Sequence, residues 1–162
     1  ITAPIKDWEA WPEVARNIFQ AFRSDSGEEL ILEKNVFVEG VLAGDVSRGL
    51  TDEEMSTYRK PFTEPGESRR PTLTWPRQIP IAGEPKNVVD IVNSYAEFLK
   101  DSDVPKLFIN ADPGAILVGE QREEARKWPN QKEVTVQGNH FVQESAPHEI
   151  GKEISNFLKS LN

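Results

Sequence analysis

The chain has 162 residues, a length suited to one domain, and 27 acidic against 19 basic side chains leave a formal charge of −8. That acidity, with no basic stripe to offset it, argues against nucleic acid, and the absence of cysteine excludes disulfides and thiolate metal sites. Two histidines, His140 and His148, leave little for zinc, and no apolar run approaches the roughly 20 residues of a membrane span. A soluble, cytoplasmic protein without metal or other cofactor and without a membrane partner is expected. Residues Ile1 to Asp7 lack the basic start and apolar core of a signal peptide. The chain also opens without Met, so Ile1 is expected to follow a processing or truncation boundary.

Short helices are expected first. Pro12 can open one that carries Val14, Ile18, Phe19 and Phe22 at helical spacing. Leu30, Ile31, Val36, Phe37, Val38, Val41 and Leu42 make a second apolar segment. Thr51 and Glu54 form a capping box for a helix that carries Met55 and Tyr58 and stops before Pro61. Pro61, Pro65, Pro71, Pro76 and Pro80 then mark a stretch expected to be mostly ordered loop, because proline lacks an N–H and disfavours helix in the residue before it. This stretch divides the chain into two unlike parts, the first running to about Pro61.

The second part alternates. Val88, Ile91, Val92, Tyr95, Phe98 and Leu99 mark an amphipathic helix, and Lys106–Asn110 a strand buried on both faces. A polar helix from Glu120 to Trp128 precedes an alternating strand, Glu133–Gln137, ended by Gly138. Ile150, Ile154, Phe157, Leu158 and Leu161 mark a final helix with Pro147 in its first turn. Helix–strand–helix–strand–helix predicts a parallel α/β sheet. Two strands make a poor sheet, so the second part is expected to be the end of a larger α/β domain.

Chemistry-bearing residues are few. His140, in Gln137-Gly-Asn-His-Phe141, follows a strand end, where α/β proteins gather functional loops. Imidazole suits general-base work there, although a histidine so placed is more often structural or superficial. Asp112, in the loop after the first strand, can orient a histidine or merely serve the turn before Pro113-Gly114. His148 reads as an exposed residue, and the pairs Glu28-Glu29, Glu53-Glu54 and Glu123-Glu124 as solvated helix faces. Trp8, Trp11, Phe19, Phe22, Phe37, Phe62 and Trp75 can line an apolar pocket or form a small helical core. Trp75-Pro76 stands out because tryptophan in irregular chain needs packing. No phosphate-binding glycine motif, nucleophile elbow or metal-ligand spacing occurs.

Several stretches together resemble the haloalkane dehalogenases, in particular the subfamily with a glutamate as catalytic acid. They are Ile18-Phe-Gln-Ala-Phe-Arg23 with Gly27-Glu-Glu-Leu30, Gly66-Glu-Ser-Arg-Arg-Pro-Thr-Leu-Thr-Trp-Pro-Arg-Gln-Ile-Pro80, Pro105-Lys-Leu-Phe-Ile-Asn-Ala-Asp-Pro-Gly-Ala115, Trp128-Pro-Asn-Gln131 and His140-Phe-Val-Gln-Glu144. The resemblance implies an α/β-hydrolase fold, of which this chain holds the helical cap, 1–82, and the C-terminal portion of the core, 83–162.

It further implies attack of an aspartate on the halogen-bearing carbon, two N–H donors for the halide, and a histidine that activates water to hydrolyse the ester. His140 matches that histidine. The aspartate, both halide donors and the glutamate, which falls a couple of residues before Ile1, belong to an N-terminal half outside the chain. That half is therefore an expected partner, beside a small halogenated substrate, water and the halide product, and the chain alone is expected to be inactive. Trp11 and Pro12 match the pocket entrance, Phe19 and Phe37 its aromatic wall, and Val41 its tunnel. Trp75 and Pro76 match the cap, with Ala115, Ile116 and Phe141 on the core side. Asp45, Asn139 and Ser145 depart from the family pattern at the tunnel mouth, beside the histidine and at a helix cap. Two alternatives stand beside this reading: a coelenterazine luciferase-like oxygenase on the same scaffold, and a non-catalytic helical binding module.

Overall fold

The computed structural model describes residues 1–161, which fall into two compact units. One is Ile5–Val89. The other joins Ile1–Pro4 to the chain from Asp90 onward.

The Ile5–Val89 unit is helical. Helix α1 (Glu13–Arg23) starts after Pro12, which stands at the N-cap rather than inside, and buries Phe19 and Phe22. Two helical stretches with wide turns, Glu29–Glu33 and Phe37–Leu42, follow, the second running into the short α2 (Ala43–Asp45). Ile31 and Leu32 of the first stretch join Phe22 and Leu73 in the core, with Phe37 and Val41 of the second packed against it. Helix α3 (Asp52–Arg59) carries the anticipated capping box: Thr51 Oγ1 accepts from the Glu54 N–H at 3.3 Å, and Glu54 Oε2 accepts from the Thr51 N–H at 2.8 Å.

The loop expected over Pro61–Pro80 is in fact partly helical. A turn at Glu67–Arg69 leads into α4 (Arg70–Arg77), so Trp75 and Pro76 lie on a helix and not in irregular chain. Proline rules were overridden for two reasons. Pro71 occupies the first turn, where no N–H is needed. Pro76 falls in the last turn, where its missing N–H costs the helix a single bond; the Arg23 guanidinium separately caps that helix end, donating to the Pro76 oxygen at 3.2 Å, to the Arg77 oxygen at 3.4 Å, and to Ile79 O. Arg77 returns the favour to α1, donating to Phe22 O at 2.8 Å and Ser24 O at 3.2 Å. Gly27 leaves room for this, since a Cβ there would stand 2.2 Å from Phe22 O and 2.8 Å from Arg77 Nη2.

Arg69 is the central tie. Only 7% exposed, it donates to four carbonyls, Leu32 at 3.0 Å, Glu33 at 2.7 Å, Phe62 at 2.8 Å and Thr63 at 3.1 Å. Main-chain oxygens that end helical turns have lost their own donors, and one guanidinium satisfies them together.

Helix α5 (Lys86–Asp101), whose first turn belongs to the Ile5–Val89 unit and the rest to the other, precedes β1 (Lys106–Pro113). Helix α6 (Gly119–Arg126) crosses to β2 (Gln131–Gly138). The strands pair in parallel, Lys106 opposite Gln131 through Pro113 opposite Gly138. Their starting ends are tied by Lys106 Nζ, which donates to Ser102 O at 2.6 Å and Pro129 O at 2.9 Å. A one-turn helix α7 (Val142–Ser145) and the long α8 (Pro147–Ser160) close the chain, with α8 packed on both strands.

Two burial expectations are corrected here. β1 is buried on one face only, through Phe108 and Asn110, and half-buried on the other. Of the face expected on α5, Val92 turns inward with Ala96, whereas Ile91 and Phe98 are exposed; Ile154 and Leu158 of α8, and Leu161 just after it, are exposed too. The reason is width. Strands lie about 4.8 Å apart, so a pair cannot cover the apolar faces of several helices.

Replacing Arg69 with Met should leave these carbonyls without their shared donor and lower stability by about 3 kcal/mol, read as a lower urea midpoint. A pH effect is expected at the capping box. Glu54 is held at about 2, first by the Arg48 side chain and then by the Thr51 N–H, against an ordinary value of 4.5. A lowered folded value means that its contribution is complete above about pH 4.5 and fades as pH falls towards 2. Glu54→Gln should therefore flatten the acid side of the stability–pH curve over that interval.

Candidate functional site

Parallel pairing brings the ends of β1 and β2 to the same edge, and the chain after each contributes to one site. The Gly114 N–H donates to the Gly138 carbonyl at 3.0 Å, closing the ladder. Both glycines have positive φ, 73° and 153°, so the loops can turn away sharply. After Gly114, the loop to Val118 is held by Arg122 of α6, whose guanidinium donates to Ala111 O and Pro113 O, both at 2.9 Å. After Gly138 come Asn139, His140 and Phe141, and then the turn of α7, in which the Glu144 N–H donates to Phe141 O at 3.0 Å.

His140 is exposed and opens into a cavity of about 270 Å³. Ile109 and Ala111 of β1, Ala115, Ile116 and Leu117 of the following loop, and Ile1, Gln121, Asn139 and Val142 form the rest of the lining. Ala115, Ile116 and His140 are thus brought together. Phe141 is not in the lining, but its ring meets the imidazole edge-on, centroids 5.0 Å apart at 67°. An imidazole against a mostly apolar wall can take or give a proton at a bound molecule that offers few polar groups.

Asp112 has a different place. It alternates with Ala111 along β1 and so leaves the strand on the side away from the cavity, and its carboxylate accepts from Gln137 Nε2 at 3.4 Å. His148 lies exposed in the first turn of α8. Among the described residues, no group of three His, Cys, Asp or Glu stands where it could hold a metal ion. No helix among them is long and apolar enough to cross a membrane.

The aromatic residues of the Ile5–Val89 unit form a connected row. Ring centroids are 5.1 Å apart for Trp11 and Phe19, 5.8 Å for Phe19 and Phe22, 6.3 Å for Phe22 and Phe37, and 5.8 Å for Phe37 and Trp75. The row runs from interior to surface: Trp11 is 2% exposed and Trp75 52%. Pro76 is fully buried, while Pro12 and Val41 are half-buried.

Against known proteins, the chain is 56% identical over 161 residues to a haloalkane dehalogenase of Sphingobium indicum, covering 99% of the chain and 54% of that relative. A haloalkane dehalogenase of Mycolicibacterium smegmatis is 48% identical over 96% of the chain and 50% of the relative. The chain is homologous to the haloalkane dehalogenases. It spans about half the length of these curated relatives. The solved haloalkane dehalogenase DbeA from Bradyrhizobium elkani superposes with a TM-score of 0.91 at 38% identity, over 98% of this chain and 56% of that one. An ancestral haloalkane dehalogenase gives 0.91 at 41%, with the same coverage. The architecture is accordingly a part of the α/β-hydrolase fold, which accounts for a parallel sheet of only two strands. The coelenterazine h 2-monooxygenase of Renilla reniformis is also similar, 45% identical over 96% of the chain and 50% of its own length. No protein-family model matches the chain.

Sequence reasoning missed Gln121 and Arg122, because a polar helix offers no sign of which side chains turn inward. Gly114→Ala tests the loop's construction. A Cβ there would lie 2.9 Å from Arg122 Nη2 and 3.0 Å from Ala111 O at a φ that disfavours side chains. The substitution should cost about 1–3 kcal/mol, seen as a lower thermal midpoint.

Proposed function

We propose that the chain contributes the water-activating base and the apolar cap of an enzyme that hydrolyses haloalkanes to alcohol, halide and a proton. The reading rests on His140. An imidazole just past the end of a parallel strand, opening into a mostly apolar cavity, suits a base whose substrate is nearly devoid of hydrogen-bonding groups. The homologues named as haloalkane dehalogenases point the same way.

In the proposed reaction, an aspartate from the half of the enzyme that this chain does not span attacks the halogen-bearing carbon. The C–O bond forms as the carbon–halogen bond breaks, and two N–H donors from that half receive the halide. His140 then takes a proton from water as its oxygen attacks the ester carbonyl carbon. Alcohol leaves, the aspartate is regenerated, and a glutamate from the other half orients the imidazole. Residues 1–82 serve as the cap domain and 83–162 as the end of the core. The family resemblance assigns Trp11, Pro12, Phe19, Phe37, Val41, Trp75, Pro76, Ala115, Ile116 and Phe141 to substrate binding in the complete enzyme. Their chemistry is apolar throughout, which matches a haloalkane.

The experiment is halide release from 1,2-dibromoethane by the complete enzyme. His140→Ala should release one halide per site and then stall, with the alkyl ester visible in the intact-protein mass and steady turnover lowered by at least about 100-fold. Undiminished turnover in that variant overturns the reading. The 162-residue chain alone should release no halide. A second reading, an oxygenase acting on coelenterazine, draws on the 45% identity to the Renilla monooxygenase, and light emission with coelenterazine by the complete enzyme would favour it.

A further inference from the structure

The segment Ile1–Ala3 is held by a side chain. Gln121 of α6 turns its amide on this backbone: Oε1 accepts from the Thr2 N–H at 2.8 Å and the Ala3 N–H at 3.3 Å, while Nε2 donates to the Ala3 carbonyl at 2.8 Å. The Thr2 hydroxyl lies 2.9 Å from Oε1 and 2.6 Å from the Gln121 carbonyl, to which it donates. Thr2 is only 6% exposed, so these bonds form where water competes little. Tyr95 of α5 adds a hydrogen bond from its hydroxyl to the Ile1 carbonyl. Ile1 and Gln121 also belong to the wall of the cavity that His140 enters. The clamp and the imidazole therefore face the same space.

We propose that Gln121 is a positioning residue for the reaction at His140, fixing Ile1 as the wall of the cavity against which the imidazole works. The proposal rests on the reading of His140 as the base. A polar side chain on a solvated helix needs no such set of partners to be stable there. With it, the backbone at Thr2–Ala3 is fixed from both its donors and its acceptor, and the side chain before it has one place to sit. Without it, two N–H groups in a nearly dry site lose their acceptor and must find another, which moves Ile1. Because the wall lies beside the base, that movement changes the room in which water meets the ester, and misplacement of this kind acts on the rate.

The test compares Gln121→Leu and Gln121→Glu in the complete enzyme, using 1,2-dibromoethane, with thermal midpoints measured in parallel. Gln121→Leu removes both ends of the clamp and should lower kcat roughly tenfold, change KM by less than about twofold and alter the pH profile of kcat. Gln121→Glu keeps the oxygen that accepts from Thr2 and Ala3 and should restore most of kcat. A lower melting point in Gln121→Leu with kcat and its pH profile unchanged overturns the proposal, as does equal loss of kcat in both variants. His140→Ala separates the two claims. If it stalls after one halide while both Gln121 variants turn over normally, the base stands and the positioning role fails. If it turns over normally, the reading of His140 fails and the proposal with it.

Discussion

Parallel pairing of β1 with β2 is the constraint on which the site depends. Two strands that run the same way end at the same edge, so the chain after each must turn in one neighbourhood. In this molecule the last bond of the ladder joins Gly114 to Gly138, and the two loops leave from there. Everything near the imidazole follows from that: Ala115 and Ile116 arrive from one strand, and Asn139 and His140 from the other. Had the strands been antiparallel, the two loops would lie a strand length apart. Arg122 then keeps the first loop in place by satisfying carbonyls at its entry, a role that frees the loop's small apolar side chains to face the cavity.

The helical unit solves a different problem. Its helices are short, so a large share of its backbone consists of helix ends with unpaired carbonyls. Guanidiniums, one buried and two half-buried, supply the donors. Arg69 gathers four oxygens from two separate stretches, and Arg23 and Arg77 close two others. An arginine carries five N–H groups in a fixed plane and suits this work better than a lysine. The aromatic row from Trp11 to Trp75 runs through the same unit and ends at the surface on the helix that Arg23 caps.

What could be read in the sequence was local. The capping box at Thr51, the two strands with the helix between them, and the position of His140 after the second strand all depend on neighbours a few residues apart. Resemblance to the haloalkane dehalogenases was also legible, because its motifs are long and specific. The helix at Arg70–Arg77 was not, since its prolines fall in the first and last turns, where they cost least, and its end is capped by Arg23, far away in the chain. The outward turn of Ile91 and Phe98 was hidden for a similar reason: periodicity shows that a face is apolar, not that enough sheet exists to cover it. Gln121 looked like any residue of a charged helix. Its partners, Thr2 and Ala3, lie more than a hundred positions away.

The exchange between Arg23 and Arg77 has a genetic consequence. Each arginine is rooted in one helix and finishes the other, so damage at either side appears in the partner helix first. Measured one at a time, the two residues would each be credited with the integrity of both helix ends, and the sum would count the same joint twice. Their effects should be strongly coupled, unlike those of well-separated sites. The joint behaves as one unit although more than fifty residues separate its members.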